Sequence, residues 1–336
     1  YANIEALNQG LYVDQCTFTS NTASDGGAIY ALVRDILSIR RSKFDNNLGE
    51  SVASLYVRIG TQNGSDLNNS LILEDNTFIV TPTKNLTNVY IVNNQITSGS
   101  ANPPTVYLGG CTFEATSATD DLEFLHLEIE DLKTGFSSIE FNKCNCFKQG
   151  AETIKVPSKY PFKNINVGCS SSQTCTPNLE PLPDLPDDPS NNQIPDNNTL
   201  VSIDVANTIF RDLVDQINKG GGAICVDTNR VNLTVDHCNF EHCRSSNGGA
   251  IHVLYAKVNE TLAGLVKNSR FENCEANSNG GAADININQA RRFSFTFEKC
   301  SFVRNKAKVG GAIRAIVRDM FTLSSCTFSN NEATSY

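Results

Sequence analysis

The sequence repeats one short signature, Gly-Gly-Ala followed by an apolar residue, at five places along the chain. The signature occupies residues 26–29, 221–224, 248–251, 280–283 and 310–313, and the last four copies begin 27, 32 and 30 residues apart. A second signature, Phe followed three residues later by Asn or Cys, recurs at Phe18, Phe44, Phe240, Phe271, Phe302 and Phe328. Such self-similarity predicts a solenoid, because a single repeat can bury its apolar face only by stacking on its neighbours.

Apolar and polar residues alternate on both sides of these signatures. Ile29, Ala31 and Val33 follow the first Gly-Gly-Ala, and Leu11 and Val13 precede the first Phe. Alternation with a period of two predicts strands with one buried face and one wet face. No helical period intervenes, so we expect short strands that stack in one direction, with like residues in columns about 4.8 Å apart. The predicted fold is therefore all-β, a right-handed parallel β-helix with looped coils.

Gly-Gly-Ala-Ile paired with Phe-x-x-Asn resembles the repeat of the chlamydial polymorphic membrane proteins, which are autotransporter-type surface adhesins. Similar repeats occur in surface proteins of some eukaryotic microbes. The resemblance covers residues 1–60 and 200–336 and is weak between them. It implies a β-helical segment displayed outside the cell. Cys243 and Cys274 depart from the pattern, since they stand where the family has Asn.

The patterning divides the chain into three parts. Residues 1–175 are predicted to be β-helix, degenerate from about residue 61, where Phe78 and Phe113 keep the Phe position but the Gly-Gly-Ala corners are lost. Residues 176–199 are rich in Pro and Asp, a composition that cannot pack a core. They form either an excursion from one continuous helix, which we favour because coil patterning resumes at residue 200, or a linker between two halves. Residues 200–336 are predicted to be regular coils.

Neither end of the sequence carries an amphipathic cap, and an uncovered β-helix end is a set of open sheet edges. We therefore expect either further chain on each side or stacking of the ends of different copies. End-to-end stacking would be a heterologous contact that does not close, and it would build a head-to-tail fibre.

Twelve cysteines without a repeated Cys-x-x-Cys pair favour disulfides and an oxidising, extracellular compartment. Like positions in consecutive coils lie within the Cα separation that a disulfide needs. This geometry predicts the pairs Cys243–Cys274 and Cys300–Cys326, and Cys169–Cys175 is predicted to close a local loop. Buried thiols that act as small apolar residues are the alternative. The pairing of the other six remains open, namely Cys16, Cys111, Cys144, Cys146, Cys225 and Cys238.

Six Asn-x-Ser/Thr sequons predict accessible glycan acceptors in a secreted protein. Asn232 lies between the inward positions Val231 and Leu233 and should point outward. The other five are Asn63, Asn68, Asn85, Asn197 and Asn259, and most of them fall in looped corners.

Several functions are disfavoured by the sequence. A net charge of −9 without a basic cluster argues against nucleic acid and anionic membranes as partners, and the apolar runs are too short to span a bilayer. The repeat explains Cys238 and Cys243, so the nearby His237 and His242 do not predict a metal site, and no cofactor is expected. His252 is expected to be a solvated surface residue.

Catalysis is also disfavoured. The paired carboxylates Asp120-Asp121 and Asp187-Asp188 fall in loop or linker composition, and Asp284, Arg314 and Arg318 fit a solvated ladder of opposite charges. We therefore predict a non-enzymatic structural glycoprotein at the cell surface or outside the cell, a rigid rod of a coat or fibre that self-associates end to end. The first alternative is an adhesin whose loops bind a glycan or surface receptor. The second and less favoured alternative is a polysaccharide lyase or hydrolase.

Overall fold

A computed structural model describes the chain as strands joined by corners. The described residues are 2–4, 10–33, 36–59, 70–81, 86–93, 105–115, 122–129, 138–142, 146–148, 154–155, 162–163, 201–214, 220–227, 231–254, 262–287, 293–317 and 320–335. None of these residues is helical, and no span within them has the length and hydropathy of a membrane-crossing helix. The predicted excursion or linker, residues 176–199, and the predicted Cys169–Cys175 bridge lie outside the described residues.

Seventeen strands lie in the described residues of the N-terminal half, between residues 2 and 163. They are β1 (Ala2–Ile4), β2 (Gly10–Asp14), β3 (Thr17–Thr19), β4 (Ile29–Val33), β5 (Ile36–Arg40), β6 (Lys43–Asp45), β7 (Val52–Ile59), β8 (Ser70–Glu74), β9 (Thr77–Val80), β10 (Leu86–Asn93), β11 (Thr105–Gly109), β12 (Thr112–Ala115), β13 (Leu122–Ile129), β14 (Ser138–Asn142), β15 (Cys146–Lys148), β16 (Ile154–Lys155) and β17 (Phe162–Lys163).

Eighteen strands lie in the described part of the C-terminal half, between residues 201 and 335. They are β18 (Val201–Ala206), β19 (Ile209–Arg211), β20 (Ile224–Asp227), β21 (Val231–Asp236), β22 (Asn239–Glu241), β23 (Arg244–Asn247), β24 (Ile251–Leu254), β25 (Leu262–Lys267), β26 (Arg270–Glu272), β27 (Glu275–Asn279), β28 (Ala283–Ile287), β29 (Phe293–Glu298), β30 (Ser301–Val303), β31 (Lys306–Ala307), β32 (Ile313–Val317), β33 (Met320–Ser324), β34 (Thr327–Ser329) and β35 (Glu332–Ala333).

Successive strands of one coil lie in different sheets, and every strand pairs in parallel with its equivalent in the next coil. The result is three long sheets of 10, 11 and 10 strands and a fourth sheet of four strands. One core cluster contains buried side chains from all three long sheets. The parallel β-helix architecture predicted from the repeat is confirmed. The predicted inward positions are also confirmed, since Ile29, Ala31, Val33, Leu11 and Val13 are all buried.

The order of the coils in space differs from their order in the sequence. β1 pairs with both β4 and β32, β2 with both β5 and β33, and β3 with both β6 and β34. The coil formed by residues 2–25 therefore lies directly on the coil formed by residues 310–335, and we call this contact the junction. Residues 2–4 and 10–25 thus meet residues 310–317 and 320–335 in the middle of the stack, and further chain or stacking copies stay predictions.

This order also bears on the Pro/Asp-rich segment. β17 and β18 are the last strands at opposite ends of the 11-stranded sheet, about 48 Å apart at the usual spacing of neighbouring strands. The chain between residues 163 and 201 joins these two ends, and its extended length of roughly 120 Å is sufficient. The segment is therefore long enough to span the stack, and whether residues 176–199 form an excursion or a linker stays a prediction, because they lie outside the described residues.

Most coils turn their corners with residues in the left-handed region of backbone conformation. Positive φ occurs immediately before the Cys or Ser that precedes the Phe strand, as at Gln15 and Lys299, and immediately before the Asn or Cys that follows it, as at Ser20 and Arg304. The third corner uses Gly. At Gly280, φ is +61° and an added Cβ would lie 2.0 Å from the carbonyl oxygen of Ala283, so only glycine fits there.

Candidate functional site: the stacking faces of the coils

The phenylalanines of the repeat form one continuous column of stacked rings. Neighbouring ring centroids are 4.6 to 5.0 Å apart, and the rings lie within 12° of parallel. The column runs in the order Phe210, Phe240, Phe271, Phe302, Phe328, Phe18, Phe44, Phe78 and Phe113. The predicted placement of Phe78 and Phe113 is confirmed, and the column continues unbroken across the junction, where Phe328 and Phe18 are 4.9 Å apart.

The asparagines of the second signature form a hydrogen-bonded ladder beside the rings. Asn331 Nδ2 donates to Asn21 Oδ1 at 2.9 Å, and Asn305 Nδ2 donates to Asn331 Oδ1 at 2.9 Å. Each amide also donates to a carbonyl of the preceding coil, as from Asn331 Nδ2 to the Phe302 oxygen. These buried amides are thereby satisfied, which is the condition for their presence in an apolar core. The ladder also crosses the junction, between Asn331 and Asn21.

A third column contains Cys, Ser, Thr or Asn at the corner before each Phe strand. Cys300 Sγ donates to the carbonyl oxygens of Glu298 at 3.3 Å and Val266 at 3.4 Å. Ser42 and Ser269 occupy the same position and donate to the carbonyl two residues earlier in the same way. In this column burial raises the pKa of the Cys111 thiol to about 12, so the thiol remains a donor. The position requires a small donor that can reach a corner carbonyl.

The disulfide predictions fall within these columns. Cys243 and Cys274 lie in adjacent coils, as do Cys300 and Cys326, and in the structure all four are buried thiols. The pKa of Cys274 is raised through its hydrogen bond with Cys243 and by burial, and that of Cys300 through its hydrogen bond with Cys326 and by burial. The predicted partners are therefore neighbours, and their oxidation to disulfides stays a prediction.

One expectation about the outer face is wrong. His252 is only 6% exposed and Asp284 only 2%, although both occupy outward positions of their strands. His252 Nδ1 lies 3.3 Å from Asp284 Oδ2, and Arg314 Nη1 donates to Asp284 Oδ1 at 2.9 Å. The ladder of opposite charges exists as predicted, but its members and the backbone at Gly220 cover one another, so it is buried rather than solvated. Arg318 lies outside the described residues.

The His and Cys residues between 237 and 243 resemble a metal site in the sequence, but corners of the coil separate the His side chains from the Cys side chains. His237 and His242 have positive φ and are exposed, whereas Cys238 and Cys243 directly after them are buried. Within the described ranges, no three residues of the His, Cys, Asp or Glu types are grouped so as to hold a metal ion. The carboxylate pairs at 120–121 and 187–188 lie outside those ranges.

Asn232 lies on the outer face of β21, where the alternation placed it. The residue is half-buried, and its Oδ1 accepts a hydrogen bond from the Ala263 N–H at 2.9 Å. The side chains of the other five sequons, Asn63, Asn68, Asn85, Asn197 and Asn259, lie outside the described residues. Glycan attachment at all six stays a prediction.

The junction differs from other coil contacts at the glycine corner. Elsewhere in the C-terminal half the corners form a ladder, with Gly249 N–H donating to Gly280 O at 3.1 Å and Gly281 N–H donating to Gly310 O at 3.0 Å. The N–H groups of Gly311 and Ala312 have no acceptor in the described part of the chain. A cavity of about 90 Å³ lies beside them, lined on its other side by residues 25–28.

One end of the stack is an uncovered apolar face. We call residues 201–214 the end coil, because β18 and β19 are the last strands of their sheets. Ile209 is 63% exposed, Val214 55% and Leu213 37%, and Phe210 is the half-buried last ring of its column. Leu48, at 44%, is the other exposed large apolar side chain among the described residues. Core-type side chains thus reach solvent mainly where the stack ends.

Uniform columns and parallel pairing define the molecule as a repeat protein of the parallel β-helical class. A model of the Chlamydia polymorphic membrane protein repeat matches residues 15–32, which hold Cys16, Phe18, Asn21 and the first Gly-Gly-Ala. The resemblance seen in the sequence is confirmed, and the chain is similar to a family of surface-exposed proteins. Neither a curated protein nor a solved structure matches the chain.

Sequence reasoning missed two features of the stacking faces. The cysteines of the third column were expected to form bridges or to be buried apolar thiols. The recurrence of Cys, Ser, Thr or Asn two residues before each Phe also indicates a column of small hydrogen-bond donors, which the sequence analysis did not predict. The contact between residues 2–25 and 310–335 had one signal, the same Phe-x-x-Asn signature in both coils, but a sequence pattern does not reveal which coils are neighbours.

Proposed function

We propose that the chain is a non-enzymatic surface rod that assembles end to end into a coat or fibre. The observation that carries this is the end coil, whose Ile209, Leu213 and Val214 are exposed beside β18 and β19, the last strands of two long parallel sheets. Apolar edges of this kind favour pairing with another chain. Similarity to a family of surface-exposed proteins that are not known as enzymes supports the setting.

The partner of the end coil is the opposite end of a second copy. That end is formed by β15, β16 and β17, which are the last strands of the three long sheets on the other side. A parallel strand pairs with its equivalent in the next coil, so the contact between copies would be head to tail and would not close. The junction supports this contact, because it shows two coils from opposite ends of the sequence stacked in register.

The assembly is tested by sedimentation velocity over a hundredfold range of protein concentration. The wild-type protein is expected to form species of increasing length, and Ile209→Lys with Val214→Lys to keep the protein monomeric because the charges stay at a solvated edge. Leu48→Lys is the control, since Leu48 is also an exposed large apolar residue but lies away from the end coil. A wild-type protein that stays monomeric, or assembly that survives the double substitution, would contradict the proposal.

We also propose that Asn232 carries a glycan. Its Oδ1 is held by the Ala263 N–H, which fixes the amide on the outer face of the sheet. Intact mass after expression in a secretory host, compared with Asn232→Gln, should differ by one glycan, and identical glycan mass in the two proteins would exclude this acceptor.

A further inference from the structure

We propose that Cys16 and Cys326 form a disulfide across the junction, which closes the chain into a covalent ring from residue 16 to residue 326. This bridge goes beyond the rod function and does not depend on it. It pairs a cysteine for which the sequence offered no partner.

The backbone holds the two cysteines in equivalent positions of neighbouring coils. Thr17 pairs in register with Thr327, and the Thr17 N–H donates to the Cys326 carbonyl oxygen at 2.9 Å. Neighbouring parallel strands are about 4.8 Å apart, which lies within the Cα separation of protein disulfides. Cys16 Sγ reaches the Leu323 carbonyl oxygen at 3.5 Å, so this thiol faces the C-terminal half.

Cys326 has a second neighbour in Cys300. The relation is the same, since the Thr327 N–H donates to the Cys300 carbonyl oxygen at 2.9 Å. One sulfur forms one disulfide, so the Cys16–Cys326 bridge excludes the Cys300–Cys326 bridge predicted from the sequence. A bridge to Cys16 would close a much longer loop and so restrict the unfolded chain more strongly than a bridge to Cys300. The experiment below therefore treats Cys300–Cys326 as the competing pair.

The pKa shifts of the thiols indicate which cysteine acts as the nucleophile when the bond forms. Hydrogen bonds from Cys16 and Cys300 lower the pKa of Cys326, whereas the hydrogen bond with Cys326 and burial raise the pKa of Cys16. Cys326 is thus the thiolate that reacts first. It attacks one sulfur of a small disulfide such as oxidised glutathione and releases one glutathione thiolate.

The bridge is completed in a second exchange. Cys16, after loss of its proton, attacks the Cys326 sulfur of the mixed disulfide and releases the second glutathione. Two cysteine thiols are oxidised, one small disulfide is reduced to two thiols, and no other oxidant is needed. Since both cysteines are buried in the finished fold, the exchange takes place at a stage of docking at which the three thiols already lie together but glutathione still reaches Cys326.

The test uses the full chain, refolded in a mixture of reduced and oxidised glutathione, alkylated and run on a non-reducing denaturing gel. A ring from residue 16 to 326 should migrate distinctly faster than the reduced chain, whereas a bridge between Cys300 and Cys326 leaves mobility nearly unchanged. The fast band should be present in wild type and in Cys300→Ser, and absent from Cys16→Ser. Serine is the matched replacement because Ser42 and Ser269 occupy the same column.

Peptide mapping of the alkylated monomer decides the pairing, and circular dichroism verifies that each variant is folded. A Cys16–Cys326 peptide in the folded wild-type monomer supports the proposal. A Cys300–Cys326 peptide with Cys16 alkylated, a fast band that survives Cys16→Ser, or covalent dimers in place of the fast band would overturn it.

Discussion

The contact between coils 280–309 and 310–335, which are consecutive in sequence, can be compared with the junction, whose coils lie at opposite ends of it. Phe302 and Phe328 stack at 4.7 Å in the first contact, and Phe328 and Phe18 stack at 4.9 Å in the second. The asparagine ladder has the same 2.9 Å hydrogen bond in both. The columns therefore continue without regard to how the chain connects the coils.

The two contacts differ at the glycine corner and in covalent continuity. The corner hydrogen bonds are complete in the first contact, whereas the junction has a cavity of about 90 Å³ and the N–H groups of Gly311 and Ala312 lack acceptors in the described chain. The junction is stacked in register although its corner hydrogen bonds are incomplete, so the side-chain columns are sufficient to place one coil on another. Stacking faces of this kind are interchangeable, which is the property that end-to-end assembly needs.

The largest expected effect comes from the ring column. Phe328→Ala at the junction should lower the free energy of unfolding by about 3–5 kcal/mol, as should Phe271→Ala within the C-terminal half, because both rings are buried between two others. Phe210→Ala in the end coil should cost roughly half as much, since Phe210 has one stacked neighbour. Urea unfolding measures all three, and a Phe328→Ala cost equal to that of Phe210→Ala would show that the junction is not packed.

A smaller effect is expected from the asparagine ladder. Asn331→Ala removes the side-chain acceptor of the buried Asn305 N–H and the donor to the Phe302 carbonyl oxygen, and it should cost about 2 kcal/mol. Asn331→Cys should cost less, since Cys243 and Cys274 occupy the same column. Thermal unfolding of the three proteins gives the comparison, and equal stability of Asn331→Ala and wild type would contradict the ladder's role.

The smallest effect concerns Asp25, which lines the cavity. Burial raises its pKa, with a further contribution from Glu50, so the folded state binds a proton more tightly than the unfolded state. The charged form is therefore unfavourable in the fold above its pKa, and Asp25→Asn should raise the melting temperature at pH 7. Below the ordinary pKa of aspartate both proteins are neutral at this position, and the gain should disappear. If the higher melting temperature of Asp25→Asn persisted at pH 3, the charge of Asp25 would not be its cause.

The sequence predicts most of the fold because the same local rules act in every coil. Alternation identifies the inward positions around Ile29, and the fixed spacing of Phe and Asn places them in columns. Contacts between coils are less predictable. His252 and Asp284 become buried on an outer face because a neighbouring coil places Arg314 and the Gly220 backbone beside them, which no single repeat reveals. Likewise, which coils become neighbours depends on the whole stack, so the meeting of Cys16 with Cys326 appears only in the structure.

The junction is tested most directly by a distance between Thr17 and Thr327, which are register partners on adjacent strands. Spin labels on unnatural amino acids at these positions, in a doubly labelled protein diluted with unlabelled protein, report the separation by pulsed electron paramagnetic resonance. If the two coils stack at the junction, the labels should lie within about 20 Å of each other, since the backbones of neighbouring strands are about 4.8 Å apart. A separation of roughly 40 Å or more, expected if the coils stacked in the order of the sequence, would contradict it.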